Sequence, residues 1–378
     1  MSSPSKSSKG SYNVLQVVPA LDAGGVERTT LEVSDALIAG GHGAFVASEG
    51  GRLVRKLTGL GATHFTLPVG SKRLLSFPWR VAALRKLIVM NGIDIVHARS
   101  RAPAWAAWRA ALAENVRFVT TYHGIYNEGF PGKRRYNSIM ARGDLVIANS
   151  QFTADHIMAT HGAPSSRIRV IPRGVDMALF DPDAVPPIRV EAVWNKWSVK
   201  PGDRVILLPA RLTRWKGQTV AIDALSRLPN DVVLVCAGDP QGRDAYVREL
   251  QEQAQRLGVS DRLRLTGHET DMPAALMAAD VILTPSTDPE AFGRTAAEAQ
   301  AMGRWIVASS HGGALDVVDD GRTGVLVAPG DADGLADALR AVPDDYDGKA
   351  ARDRIQTRFS KQALQRATLA VYEDVLNC

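Results

Sequence analysis

Two glutamates, Glu290 and Glu298, stand eight positions apart in Pro289-Glu290-Ala291-Phe292-Gly293-Arg294-Thr295-Ala296-Ala297-Glu298-Ala299-Gln300-Ala301-Met302-Gly303. The apolar run Asp280-Val281-Ile282-Leu283-Thr284 before them reads as a buried strand, and a helical pattern follows. Glu290 is therefore expected in a strand-to-helix loop, and Glu298 about two turns into the helix. Both lean toward the carboxyl edge of a parallel sheet, where open α/β sheets bind ligands. A single Glu there is as easily a solvated acid or a dipole partner. The full string, with Phe292-Gly293 between the acids, is harder to dismiss.

Further features suit an anion. Asp22-Ala23-Gly24-Gly25-Val26 follows the first strand and opens the first helix, so Gly24 and Gly25 let backbone N–H groups approach a phosphate. It is not a Gly-x-Gly-x-x-Gly signature, and the chain has no Walker-type loop. Arg211, in Pro209-Ala210-Arg211-Leu212-Thr213-Arg214-Trp215-Lys216-Gly217, offers a bidentate contact to phosphate oxygens, and Lys216 a mobile point charge. The helix opening after Phe292-Gly293 would aim its positive end at a diphosphate. His123, in Thr120-Thr121-Tyr122-His123-Gly124, ends a strand; it could bond phosphate or move a proton, and equally could be structural. Asp-x-Asp occurs at Asp181/Asp183, Asp331/Asp333 and Asp345/Asp347, always in turn or cap context, so no metal site is expected.

The elements that position these residues alternate. Strands are expected near 13–18, 44–48, 64–67, 93–97, 117–121, 145–148 and 168–171, and again near 204–209, 232–237, 263–266, 281–283, 305–308 and 324–327. Helical patterns fill the gaps, and a Pro-rich stretch, Asp181–Pro187, separates the two series. Such alternation predicts two doubly wound α/β domains, which suits a chain of 378 residues. The segment Lys361–Leu376 is one more helix after the second sheet. Residues 1–10, rich in Ser and Lys, read as a disordered tail and not as a signal peptide. No apolar run reaches membrane-spanning length, and the two cysteines, Cys236 and Cys378, carry no metal-ligand spacing.

The net charge of +5 is uneven. Residues 1–185 carry 22 Lys/Arg against 13 Asp/Glu, and the remainder 23 against 27. The basic half is expected to meet something anionic.

Together these motifs resemble the family 4 retaining glycosyltransferases (glycosyl transferases group 1). Arg211 to Lys216-Gly217, Glu290 to Gly303, His311-Gly312-Gly313 and Asp320 to Gly324 carry the resemblance in the second half, with Ala148-Asn149-Ser150 and Ile171 to Asp176 before it. Where the family usually has Asn, this chain has Arg173. The resemblance implies an α/β GT-B fold: two Rossmann-like, doubly wound domains facing a cleft, with a C-terminal helix crossing back to the first. Residues 11–185, with 360–378, would bind the acceptor, and residues 186–359 the nucleotide-sugar. Arg211, Lys216, Phe292, Gly293, Gly24 and Gly25 would bind the donor, with Glu298 on its ribose. Glu290 and His123 would be catalytic, beside the transferred sugar. The donor would be UDP- or GDP-linked, a co-substrate, with no other cofactor and no metal, and the sugar would be transferred with retention.

The acceptor is expected to be a saccharide or lipid-linked saccharide, as in lipopolysaccharide or other envelope glycan synthesis. Ser71-Lys72-Arg73-Leu74-Leu75-Ser76-Phe77-Pro78-Trp79-Arg80 and Lys133-Arg134-Arg135-Tyr136 interleave basic and bulky residues, which suits an anionic membrane surface on the cytoplasmic face of an inner membrane. A soluble enzyme with a small or phosphorylated acceptor is the alternative. A nucleotide-sugar epimerase and a non-enzymatic anion-binding protein are further rivals. No nucleic-acid motif is present.

Overall fold

The computed structural model describes residues 10–378 except Ala23, Lys72, Asn127, Phe130 and Asp344, together with the backbone but not the side chain of Leu74. The expected tail over residues 1–10, save Gly10, and the basic Lys72 lie outside the described residues. The chain forms two compact units, one running to Ile171 and regaining Leu364–Cys378, the other Pro172–Ala363.

Seven strands build the first unit: β1 (Asn13–Val17), β2 (Gly43–Ser48), β3 (Thr63–Thr66), β4 (Ile95–Ala98), β5 (Arg117–Tyr122), β6 (Leu145–Ala148) and β7 (Ile168–Val170). Their order is β3-β2-β1-β4-β5-β6-β7, with every pairing parallel. Helices must cover both faces of such a sheet, so its central strands are buried and largely apolar, with a few polar side chains such as Gln16 and His97. β4 and β6 are buried throughout. The C-terminal helix, Lys361–Asn377, buries Leu364, Thr368, Val371, Tyr372 and Val375 along one face. That helical spacing packs Leu364, Val371, Tyr372 and Val375 with Tyr12, Val14, Leu37 and Ile147 of the first unit.

The second unit has β8 (Arg204–Leu208), β9 (Val232–Cys236), β10 (Leu263–Leu265), β11 (Val281–Thr284), β12 (Ile306–Ser309) and β13 (Gly324–Val327). They lie in the order β10-β9-β8-β11-β12-β13, all parallel. This is the doubly wound arrangement whose order reverses between its first and fourth strands, here β8 and β11. The same reversal falls between β1 and β4 in the first unit. Loops leaving the carboxyl ends of the reversing strands splay apart and leave room for a ligand.

Among the described residues, no helix is long and apolar enough to cross a membrane. Cys236 lies buried in β9, where desolvation pushes its thiol up to about 12, so it behaves as a small apolar side chain.

Candidate functional site

The two loops at the β8/β11 switch point meet through their side chains. Lys216 ends a 3₁₀ turn, Arg214–Lys216, after β8. Its Nζ donates to Glu290 Oε1 at 2.7 Å, and Ser286 Oγ donates to the same oxygen at 2.6 Å. The two charged side chains are 13% and 21% exposed, so the pair is largely withdrawn from water. Lys216 Nζ also lies 4.2 Å from the centre of the Trp215 ring, which adds a cation–π attraction. Glu290 Oε2 has no part in the bonds that hold Oε1, and the carboxylate retains accepting capacity for a ligand hydroxyl.

Backbone fit makes this pairing possible. Gly217 has φ +75, and a Cβ there would fall 1.9 Å from the Pro285 carbonyl oxygen. Only glycine lets the loop after β8 lie against the loop after β11. From the other side, Gly313 N–H donates to the Glu290 carbonyl at 2.7 Å, and a Cβ on Gly313 would meet the Phe292 backbone at 2.3 Å. His311 Nε2 stands 2.8 Å from the Ser286 carbonyl. The segment after β12 thus braces the loop that carries Glu290.

Arg211 is exposed, and no ion pair holds its guanidinium among the described residues. Its backbone is fixed: the carbonyl accepts from Gln218 Nε2 at 3.0 Å, and fully buried Gln218 accepts from Tyr246 at 3.2 Å. A rigid backbone with an uncommitted cation is a suitable phosphate clamp.

The helix after the loop differs from expectation. Left-handed Gly293, φ +81, starts it at Arg294, and it ends at Ala301. Glu298 is its fifth residue and half-buried, little more than one turn in and not two. No side chain caps this N-terminus. Phe292 also differs: its ring is 4% exposed and packs against Phe359 with centroids 6.1 Å apart. What Phe292 can offer a ligand is its backbone, since its ring belongs to the core. Sequence reasoning gave no role to Ser286 or His311. Ser286 stands out in the sequence only as a hydroxyl four positions before Glu290, and His311 only as part of His311-Gly312-Gly313.

In the first unit, Gly24 has φ +136 and precedes the helix Gly25–Ala39, whose N-terminus no side chain caps. Glu27 in its first turn already sets one carboxylate beside those N–H groups. His123 follows β5 directly, and its carbonyl accepts from Asn149 Nδ2 at 3.1 Å. Asn149 is oriented by Thr153, whose hydroxyl donates to Asn149 Oδ1 at 2.9 Å, and Thr153 N–H donates to Ser150 at the helix start. The two basic segments divide. Leu84 is fully buried and Arg80 is buried, donating to the Val69 and Arg73 carbonyls, whereas Leu75 is 99% and Trp79 53% exposed. Arg134 bonds the Thr160 carbonyl at 3.0 Å. Among the described residues, no group of three His, Cys, Asp or Glu side chains could hold a metal ion.

The chain matches Glycosyltransferase Family 4 over residues 23–179 and Glycosyl transferases group 1 over residues 191–363. A D-inositol 3-phosphate glycosyltransferase of Xylanimonas cellulosilytica is 35% identical over 274 residues, 68% of this chain and 65% of that protein. The match therefore spans just under two-thirds of that relative's length. A glycosyltransferase structure from Rickettsia africae superposes with TM-score 0.89 at 34% identity, covering 97% of this chain and 99% of that one. Anabaena Alr3699/HepE in complex with UDP-glucose superposes with TM-score 0.80 at 25% identity, over 96% and 99% of the two chains.

Proposed function

We propose that this chain, which belongs to the family 4 glycosyltransferases of GT-B fold, transfers a sugar from a nucleoside-diphosphate sugar to a small phosphorylated acceptor. The observation that carries the reading is the Lys216–Glu290–Ser286 cluster at the β8/β11 switch point, beside the exposed Arg211 and an uncapped helix N-terminus. Cation, guanidinium and helix dipole are what a departing diphosphate needs where no metal neutralises it. Glu290, tethered by one oxygen, keeps accepting capacity for sugar hydroxyls. Glu298, a turn further on, is our candidate for the ribose hydroxyls.

The chemistry proposed is same-face substitution with retention. The bond from anomeric carbon to diphosphate oxygen breaks, with its electron pair going to the diphosphate. The acceptor oxygen bonds the anomeric carbon, and its proton passes to the departing phosphate. Lys216, Arg211 and the Arg294–Ala301 dipole would stabilise the charge as it grows. In the first unit, Gly24, Gly25 and His123 are our candidates for ligand contacts. Of the acceptor classes weighed from sequence, the small phosphorylated one has the better support, because the similar protein of Xylanimonas is named for D-inositol 3-phosphate. A thermal-shift panel of UDP, GDP and their sugars tests the donor, since a ligand bound only to the folded state raises its stability.

One observation favours a lipid-linked acceptor instead: Leu75 and Trp79 stand out from the surface beside Arg73. Flotation with anionic vesicles at low salt decides it, and protein left at the bottom of the gradient removes that reading.

A further inference from the structure

A buried polar chain runs through the first unit, reaching from the C-terminal helix to the end of β5. Tyr372 is fully buried on that helix, and its hydroxyl lies 2.6 Å from His97 Nδ1 on β4. His97, also fully buried, has Nε2 2.7 Å from Thr121 Oγ1 on β5. Buried Arg99, which follows β4, donates from Nε to Gln16 Oε1 at 2.6 Å across the β1/β4 switch point. Gln16 in turn donates to the Thr30 carbonyl and to Ser34, inside the helix that Gly24 and Gly25 open.

Donor counting gives this chain a direction. Among the described residues the hydroxyl of Tyr372 has a single hydrogen-bond partner, His97 Nδ1, and the phenol hydrogen needs an acceptor in this buried place. Burial pushes the Tyr372 phenol up to about 12, so it keeps its proton. That proton is left for His97 Nδ1. Burial, then the neighbouring charges of Arg99 and His123, hold His97 far below the ordinary histidine range and therefore neutral. A neutral ring that accepts at Nδ1 must carry its hydrogen on Nε2, which then donates to Thr121. Thr121 lies on β5 two positions before His123, which follows the strand directly.

We propose that Tyr372 is a positioning residue: it fixes His97 as the Nε2–H tautomer and, through Thr121, sets the strand end that carries His123. The C-terminal helix would thus belong to the working part of the first unit and not only to its packing. This rests on the reading of His123 as a site residue.

The test uses the full chain with ¹⁵N-labelled histidine, comparing wild type, Tyr372→Phe, Thr121→Val and Thr121→Ser. Long-range ¹H–¹⁵N spectra separate the two tautomers. Wild type is expected to show one histidine with a protonated Nε2 and a bonded Nδ1, unchanged by pH near neutrality. Tyr372→Phe should abolish that signature and shift the His123 ring resonances. Thr121→Val should do the same, and Thr121→Ser should restore the wild-type pattern. A His97 signal of the Nδ1–H form in wild type would overturn the proposal. So would His123 resonances unmoved by Tyr372→Phe in a protein that still melts cooperatively. Stabilisation by UDP or GDP is recorded on the same samples. Its absence in wild type would count against the glycosyltransferase reading and leave the histidine result standing on its own.

Discussion

Lys216 and Glu290, 74 positions apart in sequence, form a 2.7 Å ion pair joining the loops that leave β8 and β11. The pair stands where the strand order of the second unit reverses, the place at which a doubly wound sheet has room for a ligand. Each partner is suited to a different part of a nucleotide-sugar, so each removal should leave its own kinetic mark.

Lys216→Ala removes the cation and leaves Glu290 facing the donor phosphates uncompensated. Affinity for the nucleoside diphosphate should fall by about tenfold or more, corresponding to the loss of a charge-assisted bond. Breaking a pair this withdrawn from water should also cost about 1–3 kcal/mol of stability. Calorimetric titration and a thermal melt of the same variant check both.

Glu290→Gln keeps the volume and the bond from Ser286 while removing the charge. Turnover should drop by about a hundredfold or more, while nucleotide affinity changes far less. Initial rates over a range of donor concentrations separate the two effects, and near-normal turnover would remove Glu290 from the chemistry.

Phe292→Ala tests the reassignment of that ring to the core. Loss of a buried phenyl packed on Phe359 should cost about 3–5 kcal/mol. For a unit of this size the melting temperature should fall by about 10 °C. A variant that melts like wild type but binds donor poorly would return the ring to the ligand.

Stability should depend on pH through the histidines. His97 is held well below 6.5 chiefly by burial, and His42, His64, His156 and His161 are lowered for the same reason. Once the pH falls through 6.5 the unfolded chain takes up protons that the folded chain refuses. The stability present above that pH is therefore lost on acidification, before the carboxylates titrate. Melting temperatures should fall steadily between about pH 7 and pH 5. A flat profile over that window would mean these rings are protonated in the folded protein.

Much of this was legible in the chain because parallel strands buried on both faces must be continuous apolar runs. Val232–Cys236 and Val281–Leu283 announce themselves that way. Gly217 beside Lys216 and Gly313 in His311-Gly312-Gly313 were visible too, but not what they do. That Gly217 admits Pro285 and Gly313 admits Phe292 depends on which loops the topology brings together. Helix phase was misjudged at Glu298 because periodicity does not reveal that a left-handed Gly293 delays the first turn. The resemblance places Phe292 among the donor-binding residues, yet its ring is packed in the core against Phe359, a contact that no local pattern encodes. The contact of His97 with Tyr372 spans 275 positions, and no local pattern encodes it.

The β8/β11 edge is proposed to bind a nucleoside diphosphate through Lys216 and Arg211. The measurement that bears on it most directly is calorimetric titration of UDP and GDP into wild type, Lys216→Ala and Arg211→Ala. Wild type is expected to bind at least one of the two nucleotides saturably, and both substitutions to weaken that binding in variants that remain folded. Binding that is equally tight in all three proteins, or no binding of either nucleotide to wild type, would contradict it.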